Sequence, residues 1–243
     1  MVLSRAGKDL LPHMEAVLNG MQHILNYTNG NEITGELRLA AAESLLSCRM
    51  PRMLGRFSRL APGVRLILHC RNCHDIRNGI LSGEYDMGIY YDVGGHTRSL
   101  SLTGVGRSEG VLVASPDLPQ PLRDFVSPHQ QKNVSFVINE PRSVYRERME
   151  AYLRTKDIVL RNTVEVWNIE AIRRCVADGM GVTFLPRFAV ERDLASGTLV
   201  EIPVDMKDNA IEIICVHHRN REPGPALQLF RSLLMEDMKN MEP

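Results

Sequence analysis

Apolar residues step by three and four through the first 28 positions. Leu11, Met14, Leu18, Met21 and Leu25 form one seam, and Leu10, Val17 and Ile24 repeat every seven beside it. That spacing predicts a helix over 4–28 carrying a heptad stripe. Ser4 is placed to cap its start, and Pro12 to begin a new segment or kink it. The stripe is long and ends at the turn-rich Thr28-Asn29-Gly30-Asn31-Glu32. This predicts a helix over 1–30 that pairs with another copy of the chain in a dimer or tetramer, against the plainer alternative of packing on its own domain.

Past position 35 the period changes. Residues 36–42 read as a strand, and Glu43-Ser44 opens a helix through Leu45, Leu46, Met50, Met53, Leu54 and Phe57. Ala61-Pro62-Gly63 turns the chain into a second strand at 64–69. Asn72 or Asp75 can cap a helix over 76–81, and 85–90 reads as a third strand. The pattern then restarts with strands at 111–114 and 134–138, a helix over 143–153, a strand at 162–166, and a helix from the cap Asn168 to Asp178. Strands at 182–186 and 211–216 follow, and a closing helix spans 226–238. Strand and helix alternating at this spacing predict an α/β fold, parallel sheets with helices on both faces, in two units of about a hundred residues.

Composition adds exclusions. Lys+Arg and Asp+Glu balance at 29 each, so no long-range field draws in nucleic acid or an anionic membrane. No run approaches the ~18 apolar residues of a membrane span, and no export signal opens the chain. The expected location is cytoplasmic, with the five cysteines reduced.

Residues 69–74, His-Cys-Arg-Asn-Cys-His, raise candidate chemistry. The C-x-x-C-H spelling is that of covalent c-type haem, but such haem is attached outside the cytoplasm. Half a zinc site lacks its second cysteine pair, because Cys48, Cys175 and Cys215 stand apart. A thiol pair at Cys70 and Cys73 stays open, beside the plain reading of a turn after a strand. No nucleophile elbow, zinc-protease helix or phosphate-loop motif appears. Gly104-Val105-Gly106 leads to Glu109, so the dinucleotide fingerprint fails at its third glycine. The expectation is no enzyme activity, no cofactor and no metal.

Several segments, in order, resemble the regulatory part of LysR-type transcriptional regulators. Leu3-Ser4-Arg5-Ala6-Gly7 followed by Leu10-Leu11-Pro12 is similar to the junction of DNA-binding wing and linker helix. Gly35-Glu36-Leu37-Arg38-Leu39, with Met50-Pro51 and Phe57, resembles the first strand and helix. Tyr85-Asp86-Met87-Gly88-Ile89 resembles a further strand, and the run 176–186, VADGMGVTFLP, resembles the most telling segment of the family. Residues 197–203, GTLVEIP, resemble the strand after it. Ala40-Ala41-Ala42 departs from the Gly-Ala-Ser that the family often has after its first strand.

The resemblance implies a type II periplasmic-binding-protein fold. Two Rossmann-like subdomains, 35–107 with 209–243 and 108–208, are joined by two crossover strands near 105–107 and 211–216. The function it implies is small-molecule sensing in the cleft between them. DNA would be bound only through a helix-turn-helix domain preceding Leu3. A thiol or metal sensor at Cys70 and Cys73, or a solute-binding protein of the same fold, is the alternative. The latter would need an export signal and no pairing helix.

In such sheets ligands collect at strand carboxyl ends, where helices begin. The helix N–H groups there favour anionic or polar groups. The implied effector contacts are Glu43, Ser44, Asn72 and Cys73 in one half, and Asn139, Ser143, Trp167, Asn168, Thr183 and Phe184 in the other. Each hydroxyl or amide is equally a helix cap, and Trp167 and Phe184 are equally core residues.

Overall fold

A computed structural model describes residues 33–207, 209–221 and 223–239, with positions 4, 7, 10, 14, 17 and 21. Of the N-terminal positions, 7, 10, 14, 17 and 21 are helical. Ser4 Oγ accepts from the Gly7 N–H at 3.1 Å, as an N-cap does. Leu10, Met14, Val17 and Met21 are all exposed. Leu11, Leu18, Ile24 and Leu25 lie outside the described residues.

The chain then forms β1 (Thr34–Ala41), a wide π-type turn (Leu45–Arg49), α1 (Pro51–Leu60), β2 (Gly63–Cys70), α2 (Cys73–Ser82), β3 (Met87–Tyr91) and β4 (Leu100–Ala114). It continues with β5 (Gln130–Ile138), α3 (Val144–Lys156), β6 (Ile158–Glu165), α4 (Ile169–Ala177), β7 (Gly181–Pro186), α5 (Arg187–Ser196), β8 (Val200–Ile202), β9 (Ala210–His218) and α6 (Pro225–Lys239). Among the described residues no helix is long and apolar enough to cross a membrane.

One expected helix is two elements. Residues 45–49 turn with the Met50 N–H reaching back five residues to the Leu45 carbonyl at 2.9 Å. An α-helix proper starts only at Pro51. Proline brings no N–H and its ring crowds the preceding turn, so the turn widens before it and the helix starts afresh. β4 also begins at Leu100, eleven residues before the expected 111.

Two compact units divide the chain. Unit 1 comprises the residues up to 90, 94–106 and those from 214 on; unit 2 comprises 91–93 and 107–213. β4 and β9 each pass from one unit to the other, at Gly106/Arg107 and at Ile213/Ile214.

In unit 1 the strand order is β2-β1-β3-β9. β1 and β2 run parallel in unbroken register from Thr34 opposite Gly63 to Ala41 opposite Cys70, and β3 joins the other side of β1 in parallel. Leu37 and Leu39 alternate with exposed Glu36 and Arg38 at the start of β1, and the strand then sinks wholly into the core. On one face α1 meets α6, with the rings of Phe57 and Phe230 edge to face at 5.3 Å. Asp86, at the start of β3, is buried. Its carboxylate accepts from the Arg38 N–H at 2.6 Å and pairs with Arg221 at 2.6 Å. Burial pushes the Asp86 carboxyl up, against the pull of Arg221.

In unit 2 the order is β4-β7-β5-β6, with β8 also on β4. β7 is antiparallel to β4 but parallel to β5, and β5 is parallel to β6. The core is built from Val111 to Ala114, Phe136 to Ile138, and Val182 to Leu185, with Met149, Ile172 and Val176 from the helices.

Candidate functional site

Each unit brings strand carboxyl ends beside helix starts. In unit 1, β1 ends at Ala41 opposite Cys70, the end of β2. The Ala42 N–H continues the pairing to Ile89 at 3.0 Å, and the Arg71 N–H reaches Ala41 at 3.2 Å. Glu43 and Ser44 follow at the head of the π-type turn, Glu43 half-buried and Ser44 buried.

Asn72 is committed to its helix. Its Oδ1 accepts from the Asp75 N–H at 2.9 Å, and its Nδ2 donates to Asp75 Oδ2 at 2.6 Å. Both ends of the amide therefore serve the first turn of α2. Cys70 is exposed, whereas Cys73 is buried as the first residue of α2. His69, beside the pair, stacks edge to face on Tyr85 at 5.5 Å. Among the described residues no three or more His, Cys, Asp or Glu side chains group to hold a metal ion.

In unit 2, β5 and β6 are neighbours in parallel register, and Ile138 lies opposite Glu165 at their carboxyl ends. The Val166 N–H still bonds to the Ile138 carbonyl at 2.9 Å, so the two chains leave the sheet side by side. Asn139 leads into α3 through the turn 140–143, and Trp167 leads into α4. Two helix starts therefore sit over adjacent strand ends, which is the geometry that concentrates backbone N–H groups.

The two starts are finished differently. Asn168 caps α4, its Oδ1 accepting from the Ala171 N–H at 2.8 Å. Ser143 occupies the cap position of α3 but makes no capping bond with its side chain. Asn139 is only 9% exposed. Its side-chain amide has no hydrogen-bond partner among the described residues, while its carbonyl accepts from Arg146 at 2.9 Å. An amide that reaches solvent from a largely buried residue, beside a helix start that Ser143 does not cap, is a polar site open to oxygen or nitrogen partners.

Arg146, in the first turn of α3, ties this end together. Its Nε donates to Glu150 Oε1 at 2.8 Å, and its Nη1 to Asn139 O and, at 3.1 Å, to Glu165 Oε2. Burial pulls the guanidinium down, but the hydrogen bonds to Glu150 and Glu165 outweigh it, and the net shift is upward. Glu165 in turn accepts from Trp167 Nε1 at 2.8 Å. The indole is held at one edge while the residue remains 68% exposed.

Of the expected site residues, Asn139, Ser143, Trp167 and Asn168 are thus brought to one end of unit 2. Thr183 and Phe184 are fully buried in β7. The Thr183 Oγ1 finds no partner among the described residues, and Phe184 lies against Tyr145, with ring centroids 6.1 Å apart. Arg146, Glu165 and Tyr145 went unnoticed in the sequence. The one local signal was the four-residue spacing of Arg146 and Glu150, an ordinary helical ion pair. The Tyr145 hydroxyl donates to Ser108 Oγ at 2.9 Å in the core, where β4 enters unit 2.

Residues 30–239 match the family model of the LysR substrate binding domain. The chain is 41% identical over 231 residues to YfiE of Escherichia coli K12, an uncharacterized HTH-type transcriptional regulator, across 95% of this chain and 78% of that protein. The CcmR regulatory domain from Synechocystis PCC6803, solved in complex with 2-PG, superposes with a TM-score of 0.72 at 23% identity. The match covers 86% of this chain and 99% of that one. Full-length LysG from Corynebacterium glutamicum, with bound effector Arg, superposes with a TM-score of 0.78 at 12% identity, covering 98% and 80%.

Proposed function

Because the chain belongs to the LysR substrate-binding domain family, transcriptional regulators with ligand-binding domains and not enzymes, we propose that it senses a small-molecule effector at its strand carboxyl ends. The fold is of the type II periplasmic-binding-protein kind. Regulatory domains of this fold take chemically different ligands, 2-PG in CcmR and Arg in LysG. The ligand here is therefore argued from this chain's own residues.

The observation that carries the reading is in unit 2. Asn139 is a largely buried residue whose amide has no hydrogen-bond partner among the described residues, and it stands beside the start of α3, where Ser143 makes no side-chain cap. An effector carboxylate has two oxygens to accept from Asn139 Nδ2 and Ser143 Oγ, at the positive end of the α3 dipole. In unit 1 the corresponding positions are Glu43, Ser44, Asn72 and Cys73. Asn72 and Asn168 support them by holding the helix starts, since their side chains are already occupied as caps. Binding regulates only through differential affinity for two conformations of the protein.

The test is a thermal-shift screen of small carboxylates, amino acids and aromatic acids on this chain. The Asn139→Ala/Ser143→Ala double variant is expected to weaken an active ligand about tenfold or more, as loss of two hydrogen bonds predicts. Its far-UV circular dichroism should not change. A ligand whose shift survives intact in the double variant binds elsewhere and overturns the assignment.

We further propose that the N-terminal helix pairs with a second copy of the chain. Leu10, Met14, Val17 and Met21 recur at four, three and four residues, and all are more than half exposed. That is a heptad seam left open to solvent. Met14→Asp places a charge on the seam, and sedimentation velocity should then read a smaller species at equal concentration. An unchanged sedimentation coefficient would reject this helix as the pairing surface.

A further inference from the structure

Trp167 is the only tryptophan in the chain, and it is placed against the usual preference of large rings for the interior. It is 68% exposed, yet it does not swing free. Its Nε1 donates to Glu165 Oε1 at 2.8 Å, and the other oxygen of Glu165 accepts from Arg146 at 3.1 Å. Arg146 is itself fixed by Glu150 and by the Asn139 carbonyl. The chain of contacts runs from the exposed indole, through an ion pair with a largely buried arginine, to the backbone of the residue whose amide is unmatched. A ring anchored only at its N–H edge keeps its π face available while little rotamer freedom remains to be lost on binding.

From this we infer that the unit 2 site selects a planar aromatic acid: the effector ring stacks on the indole of Trp167, and its carboxylate is received by Asn139, Ser143 and the start of α3. The inference rests on the effector reading above and deepens it.

Three points of chemistry favour a ring acid over the other ligands an exposed tryptophan attracts. First, the negative charge nearest the indole, Glu165, is matched by Arg146 and the indole N–H. It offers no free carboxylate to a cationic ligand that would otherwise sit over the ring. Second, the groups beyond it include donors suited to an oxyanion, the Asn139 amide and the Ser143 hydroxyl, at the positive end of a 13-residue helix. Third, platform and donors stand on neighbouring strand ends. Ile138 pairs with Glu165, so Asn139 and Trp167 lie one and two residues beyond one rung of the β5–β6 ladder. A single ring bearing a carboxylate is of the size to bridge positions so placed.

A sole tryptophan at the site makes intrinsic fluorescence a local reporter. The probes are benzoate, nicotinate and indole-3-carboxylate, with cyclohexanecarboxylate as a saturated acid and free arginine as a cation. At least one planar acid is expected to quench Trp167 emission saturably and to raise the melting temperature. Cyclohexanecarboxylate should bind about tenfold more weakly for want of stacking. Trp167→Ala should weaken the planar acid by a similar factor and Trp167→Phe should recover part of it, with the unliganded melting temperature nearly constant in both. Equal binding of the saturated and planar acids, a planar-acid shift that survives Trp167→Ala, or a response to arginine alone would each overturn the inference. So would silence from all three planar acids. The effector reading itself falls only if an active ligand is indifferent to the Asn139/Ser143 double variant, so the two failures are told apart.

Discussion

Replacing Gly181 with alanine is expected to destabilise unit 2 severely, through contact with backbone and not with a side chain. Gly181 opens β7 opposite Ser135 of β5. A Cβ at this position would stand 2.1 Å from the Ser135 carbonyl oxygen and 2.9 Å from its carbon. No rotamer relieves that overlap, because what is struck is the neighbouring strand. The strands must part or β7 must slip, and a slip of one residue would turn Val182, Thr183, Phe184 and Leu185, all fully buried, to the wrong faces. A cost of about 3 kcal/mol or more is expected, against a total stability of about 5–15 kcal/mol for a natural domain.

Gly179, two residues earlier, supplies the control. Its φ is +84°, and nothing lies within 4 Å of a Cβ built there. Alanine at 179 meets only the left-handed penalty of about 1–2 kcal/mol. Urea denaturation followed by circular dichroism at 222 nm should rank the parent above Gly179→Ala, and Gly179→Ala well above Gly181→Ala. If the two variants prove equally stable, the close approach of β5 and β7 at Ser135 is wrong.

This pair also marks what a sequence can and cannot disclose. Gly179-Met180-Gly181 reads as a turn into a strand, and it is one, but the two glycines are there for unrelated reasons. The first is dihedral and local. The second is steric and depends on which strand β7 joins, a long-range fact that no spacing announces. The helix caps lie at the legible extreme: Asn72 and Asn168 act within three residues of themselves, and both bonds are in place. The first half of β4 lies at the other extreme. Residues 100–110, LSLTGVGRSEG, carry three glycines, two serines and a threonine, and are held extended by neighbouring strands against their own propensity. The break at Pro51 was legible in principle, since proline's missing N–H is written in the sequence, but the apolar spacing running through it suggested one helix. At the proposed site, Asn139 and Ser143 follow from the rule that ligands gather at strand ends. The Arg146–Glu165–Trp167 network does not, because Arg146 and Glu165 are 19 residues apart and meet only through the register of β5 on β6.

Truncating Phe184 to alanine is the second large effect expected, and it separates core from site. The ring is fully buried. It occupies the space left by Gly110 across the β4–β7 ladder, where a Cβ would come within 2.3 Å of its Cζ. Tyr145 also lies against it, stacks edge to face on Tyr91 at 5.0 Å and donates its hydroxyl to Ser108. Removing the ring leaves a void bounded on one side by a glycine, with no side chain to fall into it, so relaxation is limited and a cost of about 3–5 kcal/mol is expected. Phe184→Leu refills most of the volume and should cost about 1–2 kcal/mol. A wall residue of the effector site would behave otherwise: the leucine variant would fold normally yet lose its ligand. Denaturation midpoints and ligand-induced thermal shifts, measured on the same two variants, decide between the roles. A core role requires the leucine variant to keep the parent's ligand-induced shift while its midpoint falls. A leucine variant as stable as the parent but unresponsive to ligand would transfer Phe184 from the core to the site.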